Sequence, residues 1–223
     1  MKKAVIFMCV LLFSAVAFFH FGNDILIALE SDDVSVRLPT SGNNFETYSR
    51  TLSTMGRTHV HSKLKPALLD AYKALEKTLP QVTWSYAETG WKNGGNFWPH
   101  HTHQNGLSVD FIVPVNDTRS SKSTMLALSP LNLWGYRVRF DKEGCYKQYQ
   151  IDFASMILHL RALKDSCIRH KIALKRVIFD PPLLAKLRSQ PTFHLISDLP
   201  FMKGPAWFPH DSHYHVDFAR PAL

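Results

Sequence analysis

The sequence predicts an α+β domain in which a small, mainly antiparallel sheet is flanked by helices. Two segments, 107–113 and 213–218, alternate apolar and polar residues with the period of half-buried strands. Two longer segments, 62–77 and 152–170, repeat apolar residues at helical spacing. Because 45% of the 223 residues are hydrophobic, the chain can bury one sizeable core, and one main domain is expected.

The first 21 residues have the parts of an export signal. Lys2 and Lys3 form a charged start, residues 4–19 are almost all apolar, and residues 15–17 read Ala-Val-Ala, a small-residue cleavage site. This apolar run is short for a membrane span. Because apolar residues continue to Phe21, an uncleaved membrane anchor is the alternative to a cleaved signal. Both alternatives predict export.

The next segment, 22–57, mixes acidic and polar residues and is expected to be a linker or an N-terminal wrap. The domain is therefore expected over residues 58–223. Its first helix is predicted at Ser62–Lys77, where apolar residues recur at helical spacing and Ser62 is a suitable cap.

Alternating residues over 82–86 indicate a strand, followed by a glycine- and asparagine-rich loop at 89–99 that is expected to line the rim of a cleft. The segment 116–131 is rich in serine, threonine and asparagine, and its length suggests a surface insertion or part of a lid. A hairpin is predicted from 137–140 to 146–151, with its turn at residues 141–144.

The second long helix is predicted at Asp152–His170, with Asp152 as its cap. A strand at 174–179 and a short helix opened by two prolines at 181–188 follow. Residues 190–212 are expected to form a long irregular loop.

Two histidine-rich segments are the main functional signal. Residues 99–114 read PHHTHQNGLSVDFIVP, and residues 209–218 read PHDSHYHVDF. If both contain strands, Asp110 lies on one face of the first, and His213 and His215 lie on one face of the second. Two histidines and one aspartate suit zinc, and three protein ligands leave a fourth position for water, as in a catalytic site. We therefore predict His103, Asp110 and His215 as zinc ligands.

The spacing His103-x6-Asp110, followed far downstream by His213-x-His215, resembles the zinc signature of the lysostaphin, D-alanyl-D-alanine peptidase and hedgehog superfamily. The sequences THQNGLSVD and HDSHYH are most similar to the corresponding motifs of penicillin-insensitive murein endopeptidases. The resemblance extends from about residue 55 to 218 and is specific at the two histidine segments. Ser108 departs from it, since that branch usually carries an acid there. The resemblance implies the same α+β architecture, a bound Zn2+ and a periplasmic location.

The resemblance also implies roles for residues around the metal. His213 would take a proton from the attacking water, and alternation along the strand favours it over its rival or helper, His210. His100 and Gln104 match family residues and are candidate substrate contacts, although a loop histidine without a role is an equal alternative. Asp217 is either a carboxylate that orients a ligand imidazole or a solvated strand end.

The expected activity is zinc-dependent hydrolysis of D-amino-acid-containing peptide cross-links in peptidoglycan, of the D-alanyl to meso-diaminopimelate type. The alternatives are a D,D-carboxypeptidase or dipeptidase, and a non-catalytic zinc-containing wall-binding module. The formal net charge of +8 suits an anionic polymer, or is only a soluble basic surface. A nucleic-acid partner is not expected, because no run of Lys or Arg exceeds two residues.

Outside the export segment the chain has two cysteines, Cys145 and Cys167. An even pair in an exported protein is consistent with a disulfide, and two buried thiols are the alternative. The resembling endopeptidases carry more disulfides than this chain can form.

Overall fold

A computed structural model describes residues 2–29, 35–98, 100–204, 206 and 208–220. The described part of the chain is α+β, with antiparallel and mixed sheets flanked by helices, which confirms the predicted fold class. Parts of the predicted N-terminal segment, the predicted loops and the end of the predicted domain, at residues 1, 30–34, 99, 205, 207 and 221–223, lie outside the described residues. The helices are α1 (Lys2–Leu29), α2 (Arg50–Leu52), α3 (Leu64–Thr78), α4 (Phe153–Arg169) and α5 (Pro181–Arg188).

Eleven strands in the described residues form three sheets. The strands are β1 (Ser35–Arg37), β2 (Phe45–Thr47), β3 (His59–His61), β4 (Trp84–Tyr86), β5 (Ser108–Ile112), β6 (Val115–Asp117), β7 (Lys122–Thr124), β8 (Cys145–Tyr146), β9 (Tyr149–Ile151), β10 (Ala173–Ile178) and β11 (His213–Ala219). The central sheet has the order β10-β11-β5-β4-β2, and only its β2–β4 pair is parallel. The other sheets are β7-β6-β9-β8 and the pair β1-β3.

The central sheet has one apolar face and one polar face, as the alternation in β5 and β11 predicts. Val109, Phe111, Tyr214 and Val216 are buried in the hydrophobic core with residues of α3 and α4. The polar residues of the same strands lie on the opposite face. The helices thus stabilise the sheet from one side and leave the other side for the histidine segments.

Most predicted elements are confirmed in type, with shifted ends. The first long helix begins at Leu64. Its N-cap residue is Lys63 and not the predicted Ser62, and the Lys63 side chain makes no capping hydrogen bond. The second long helix is capped as predicted, since the Asp152 carboxylate accepts a hydrogen bond from the Ser155 backbone N–H. The predicted strand at 174–179 and helix at 181–188 are β10 and α5.

Two segments in the middle of the chain differ in detail from the prediction. The segment 116–131, predicted as a surface insertion or part of a lid, begins with the paired strands β6 and β7. Polar composition suggested a loop, but short strands at a sheet edge tolerate polar side chains. The hairpin is present as β8 and β9, with its turn at 147–148 instead of 141–144. Residues 137–140 are irregular, and the loop 190–212 contains a short helix, Pro191–Ile196.

The N-terminal segment contributes to the fold. The helix α1 runs past the predicted boundary at Phe21 to Leu29. In the segment 22–57, expected to be a linker or wrap, β1 pairs with β3 and β2 joins the edge of the central sheet beside β4. Among the helices of the described residues, none combines the length and the apolar character that crossing a membrane requires.

The two cysteines of the domain are free thiols, so the disulfide alternative is corrected. Cys167 lies in the core side of α4, where burial raises its pKa to about 12. Cys145 lies on β8 and donates a hydrogen bond to the Gln150 side-chain oxygen at 2.8 Å. The two residues belong to different layers, which sequence spacing alone does not reveal.

The core contains a histidine, His159 of α4, which predicts a pH dependence of stability. Its Nδ1 lies 2.6 Å from the Tyr214 hydroxyl, and its ring stacks on Trp84 with the centroids 4.8 Å apart. Burial lowers its pKa to about 3. Below about pH 6.5, His159 therefore binds a proton in the unfolded chain but stays neutral in the folded protein. Stability should fall with pH in that window, by about 2 kcal/mol between pH 7 and pH 5.

The variant His159→Phe should be less stable at neutral pH, because Tyr214 loses its partner, but its stability should change less between about pH 7 and pH 5. Urea unfolding at both pH values measures the difference. His194→Gln, a change at an exposed histidine, is the control for loss of a histidine as such. Equal pH dependence in wild type and His159→Phe would contradict the assignment.

Candidate metal centre

The two histidine segments meet because β5 and β11 are neighbours in the central sheet. Their antiparallel register places His215 directly opposite Asp110, and Asp217 opposite Ser108. Directly opposed side chains on one face of a sheet lie close together. The predicted convergence of the two segments is therefore present in the fold.

His103 reaches the same place from the loop that precedes β5. Its backbone is left-handed, with φ of 61°, a conformation that costs a non-glycine residue about 1 kcal/mol or more. The loop packs tightly on β3, where the His61 backbone N–H donates to the carbonyl of Gly106. A Cβ on Gly106 would lie 2.7 Å from the His61 nitrogen, so only glycine fits this contact.

Asp110 is the centre of the cluster and is only 3% exposed. Its Oδ1 lies 2.7 Å from His215 Nδ1 and 3.3 Å from His103 Nε2, and its Oδ2 lies 4.0 Å from His213 Nε2. Burial raises the pKa of Asp110, but the close approach of the His103 and His213 rings and the hydrogen bond with His215 outweigh burial and hold the pKa well below its usual value. Asp110 is therefore an ionised carboxylate in the interior.

Three nitrogens beside this carboxylate have no hydrogen-bond partner among the described residues. They are both ring nitrogens of His103, which is fully buried, and Nε2 of His213. The 3.3 Å approach of His103 to Asp110 is a close electrostatic contact without hydrogen-bond geometry. Buried polar atoms without partners are rare in folded proteins and point to a group that completes them.

A metal ion fits this requirement. His100, His103 and Asp110 each offer one donor atom, and these atoms lie within 4.8 Å of one another. Two of the three are predicted ligands. His100 was predicted as a substrate contact, and the structure places it beside them.

His215, the third predicted ligand, adjoins the cluster through Asp110. Its second nitrogen, Nε2, lies 2.8 Å from Asp217 Oδ1. Burial lowers the pKa of His215, but hydrogen bonds to Asp110 and Asp217 outweigh burial and raise the pKa to about 9. Both nitrogens of this ring thus face carboxylates here, and a His215 ligand would have to release a proton.

Asp217 is the buried carboxylate that orients His215, and it is not a solvated strand end. Its Oδ1 also accepts a hydrogen bond from the Ser108 hydroxyl at 2.7 Å, and its Oδ2 accepts one from Arg176 Nε at 2.7 Å. Such a carboxylate behind an imidazole fixes the ring orientation. The orienting role proposed from the sequence is therefore consistent with the geometry.

His213 and His210, the two predicted proton carriers, lie side by side with ring centroids 4.8 Å apart. Burial lowers the pKa of His213 to about 3, so its ring is neutral at neutral pH. His210 donates from Nδ1 to the Phe208 carbonyl at 2.6 Å, which leaves the lone pair on Nε2. Both rings therefore lie beside the cluster.

Gln104, the other predicted substrate contact, has an exposed side chain that donates to the His101 carbonyl at 3.3 Å. It lines a surface groove beside His103 together with Arg176. It is thus on the rim and is not part of the buried cluster.

Sequence reasoning missed a second buried network beside His100. Glu88, two residues after β4, contacts His100 Nε2 at 2.8 Å and accepts a hydrogen bond from the Tyr136 hydroxyl at 3.0 Å. Burial raises the pKa of Glu88, but the hydrogen bonds from His100 and Arg57 together outweigh burial and lower the pKa to about 2. Burial and the nearby Glu88 raise the pKa of Tyr136, which stays a phenol. The available sequence signal was an acidic residue two positions after the predicted strand 82–86.

The variant Asp217→Asn should destabilise the metal-free protein by about 2–3 kcal/mol, because Arg176 loses its buried counter-charge and His215 keeps only that of Asp110. Asp70→Asn is the matched control, since Asp70 pairs with Arg169 at 2.7 Å on the surface. That change should cost less than about 1 kcal/mol. Urea unfolding with a chelator present measures both, and equal losses would show that Asp217 is no more than a surface ion pair.

The chain matches no protein family model, and no curated protein is significantly similar to it. What the centre can do therefore follows from its own residues and their geometry.

Proposed function

We propose that this protein is a zinc-dependent peptidoglycan endopeptidase that hydrolyses D-amino-acid-containing cross-links of the D-alanyl to meso-diaminopimelate type. The observation that carries the metal part is the fully buried His103, with both nitrogens unpaired, beside the buried Asp110 carboxylate. The substrate class rests on the resemblance of the two histidine segments to murein endopeptidases. Export predicted from the N-terminal residues agrees with a periplasmic substrate.

The donor set favours zinc over harder cations. Imidazole nitrogens with a single carboxylate suit Zn2+, whereas Mg2+ and Ca2+ prefer oxygen ligands throughout. His103 and Asp110 are common to both candidate ligand sets. The third ligand is His215 in the set predicted from the sequence and His100 in the set whose atoms cluster in the structure. Either set leaves one position for water or substrate.

When bound, zinc would lower the pKa of a water molecule and polarise the scissile carbonyl. The chain supplies the proton transfer. In this proposal His213, whose Nε2 has no hydrogen-bond partner among the described residues, takes the proton from the attacking water and returns it to the leaving amine. His210, with its tautomer fixed by the Phe208 carbonyl, is the alternative proton carrier or stabilises the developing charge.

A non-catalytic zinc-containing wall-binding module is the second candidate, and one observation favours it. Four donor residues gather here: His100, His103 and Asp110 lie within metal-binding distance of one another, and His215 contacts Asp110. If all four ligated one ion, its coordination would be complete without water, as in a structural site. Of the two candidates, only the endopeptidase would hydrolyse peptide cross-links.

Incubation of the purified protein with cross-linked muropeptide dimers should yield monomers, and EDTA should stop the reaction, because the metal ligands would lose their ion. Mass analysis of the products identifies the cut bond, and free D-alanine would instead indicate a carboxypeptidase. His103→Ala should lose both zinc and activity, whereas His194→Ala, at an exposed site, should retain both. Persistence of dimers with zinc demonstrably bound would favour the non-catalytic module.

The proton carrier can be assigned by comparing His213→Ala with His210→Ala. We expect both variants to retain zinc and His213→Ala to lose activity by about 100-fold or more, the usual worth of a general base. Zinc content and the rate of dimer cleavage are measured on the same samples. Retained zinc with activity abolished only in His210→Ala would reverse the assignment.

A further inference from the structure

Glu88 is a buried carboxylate that the proposed reaction has not used. It is 4% exposed and lies two residues after β4, at the side of the metal cluster. An ionised group in such a place is costly unless its oxygens are all paired. Its Oε1 accepts hydrogen bonds from Arg57 Nε at 2.6 Å and from the Tyr48 hydroxyl at 3.0 Å. Its Oε2 faces His100 and Tyr136.

The residue is connected to two members of the metal cluster at once. Its backbone carbonyl accepts from the Asp110 N–H at 3.0 Å, and the neighbouring Ala87 N–H donates to the Asp110 carbonyl at 2.7 Å. Its side chain contacts His100 Nε2 at 2.8 Å. Glu88 therefore fixes the distance between the strand that carries Asp110 and the loop that carries His100.

The contact with His100 also determines which ring nitrogen carries hydrogen. An ionised carboxylate only accepts hydrogen bonds, so His100 Nε2 must be the donor. The Tyr136 hydroxyl donates to the same Oε2 and lies 2.6 Å from His100 Nε2, so its oxygen is a further acceptor for that hydrogen. In a neutral ring this arrangement leaves the lone pair on Nδ1.

We propose that Glu88 is a positioning residue that holds His100 with its hydrogen on Nε2, so that His100 Nδ1 is a ligand of the metal bound by His103 and Asp110. A carboxylate that accepts the second N–H of a ligand histidine is a general feature of metal sites and raises the basicity of the ligand nitrogen. The inference deepens the proposed metal site and rests on it, but it does not depend on peptide hydrolysis.

The carboxylate itself is held rigidly from behind. Arg57 is the last residue of the π-helical turn Ser53–Arg57, and its guanidinium packs over the rings of Phe97 at 4.1 Å and Trp91 at 5.0 Å. Phe97 in turn lies 5.5 Å, between ring centroids, from His103. The aromatic pair thus supports both the cation that orients Glu88 and the buried ligand histidine.

The variant Glu88→Gln tests the proposal, because it keeps the size of the side chain but offers an N–H in place of a carboxylate oxygen. In the metal-free wild type, 15N NMR of the histidine rings should show His100 with hydrogen on Nε2 at a pH above neutral. In Glu88→Gln the amide can donate to Nε2, and the hydrogen should move to Nδ1. The His100 signal is assigned by its absence in His100→Gln.

Zinc affinity, measured by competition with a chromophoric chelator, should fall by about 10- to 100-fold in Glu88→Gln. The visible spectrum of the cobalt-substituted protein should also change, because one nitrogen ligand is lost. Tyr48→Phe is the matched control: it removes a hydrogen bond to the other oxygen of Glu88 and should leave the His100 tautomer and the cobalt spectrum unchanged.

Hydrogen on Nδ1 of His100 in the wild type would overturn the proposal, and this measurement needs no variant to fold. An unchanged tautomer and unchanged zinc affinity in a folded Glu88→Gln would overturn it as well. Failure of the protein to cut muropeptides, with the wild-type tautomer and the loss of zinc affinity as expected, would refute the proposed activity and leave the role of Glu88 intact.

Discussion

The pairing of β5 with β11 is the constraint on which the candidate site depends. Because residues alternate between the two faces of a sheet, packing Val109, Phe111, Tyr214 and Val216 against the helices turns the polar residues to the other side. A register shift of one residue would exchange the two sets and bury the histidine segment in the core. The free energy gained by apolar burial therefore also determines where Asp110 lies.

That carboxylate can remain ionised in the interior only because cationic and hydrogen-bonding groups surround it. The histidines around it partly meet this need, yet His103 and His213 keep unpaired nitrogens. The site thus holds a buried negative charge and nitrogen atoms without partners. A divalent cation would neutralise the charge and bind the nitrogen atoms. The second buried carboxylate, Glu88, differs in that each of its oxygens already has its partners.

The sequence predicted the parts of the fold that depend on local periodicity. The two alternating strands, the long helices and the cap at Asp152 follow from residues within one element, and the histidine spacing placed His103, Asp110 and His215 together. It did not predict Glu88 or Tyr136, because their roles depend on strand order and on a loop that returns from residues 129–136. Nor could spacing decide between His100 and His215, since both lie within reach of Asp110.

The complete burial of His103 has a kinetic consequence. Because its ring is fully buried, His103 can turn away from a bound ion only if the loop before β5 opens, and this opening would limit how fast the ion is released. The tight seat of Gly106 on β3 opposes that opening. An ion captured as the chain folds would then be retained through long dilution, and residence time in this protein would reflect the rigidity of one loop more than the strength of any single bond to the ion.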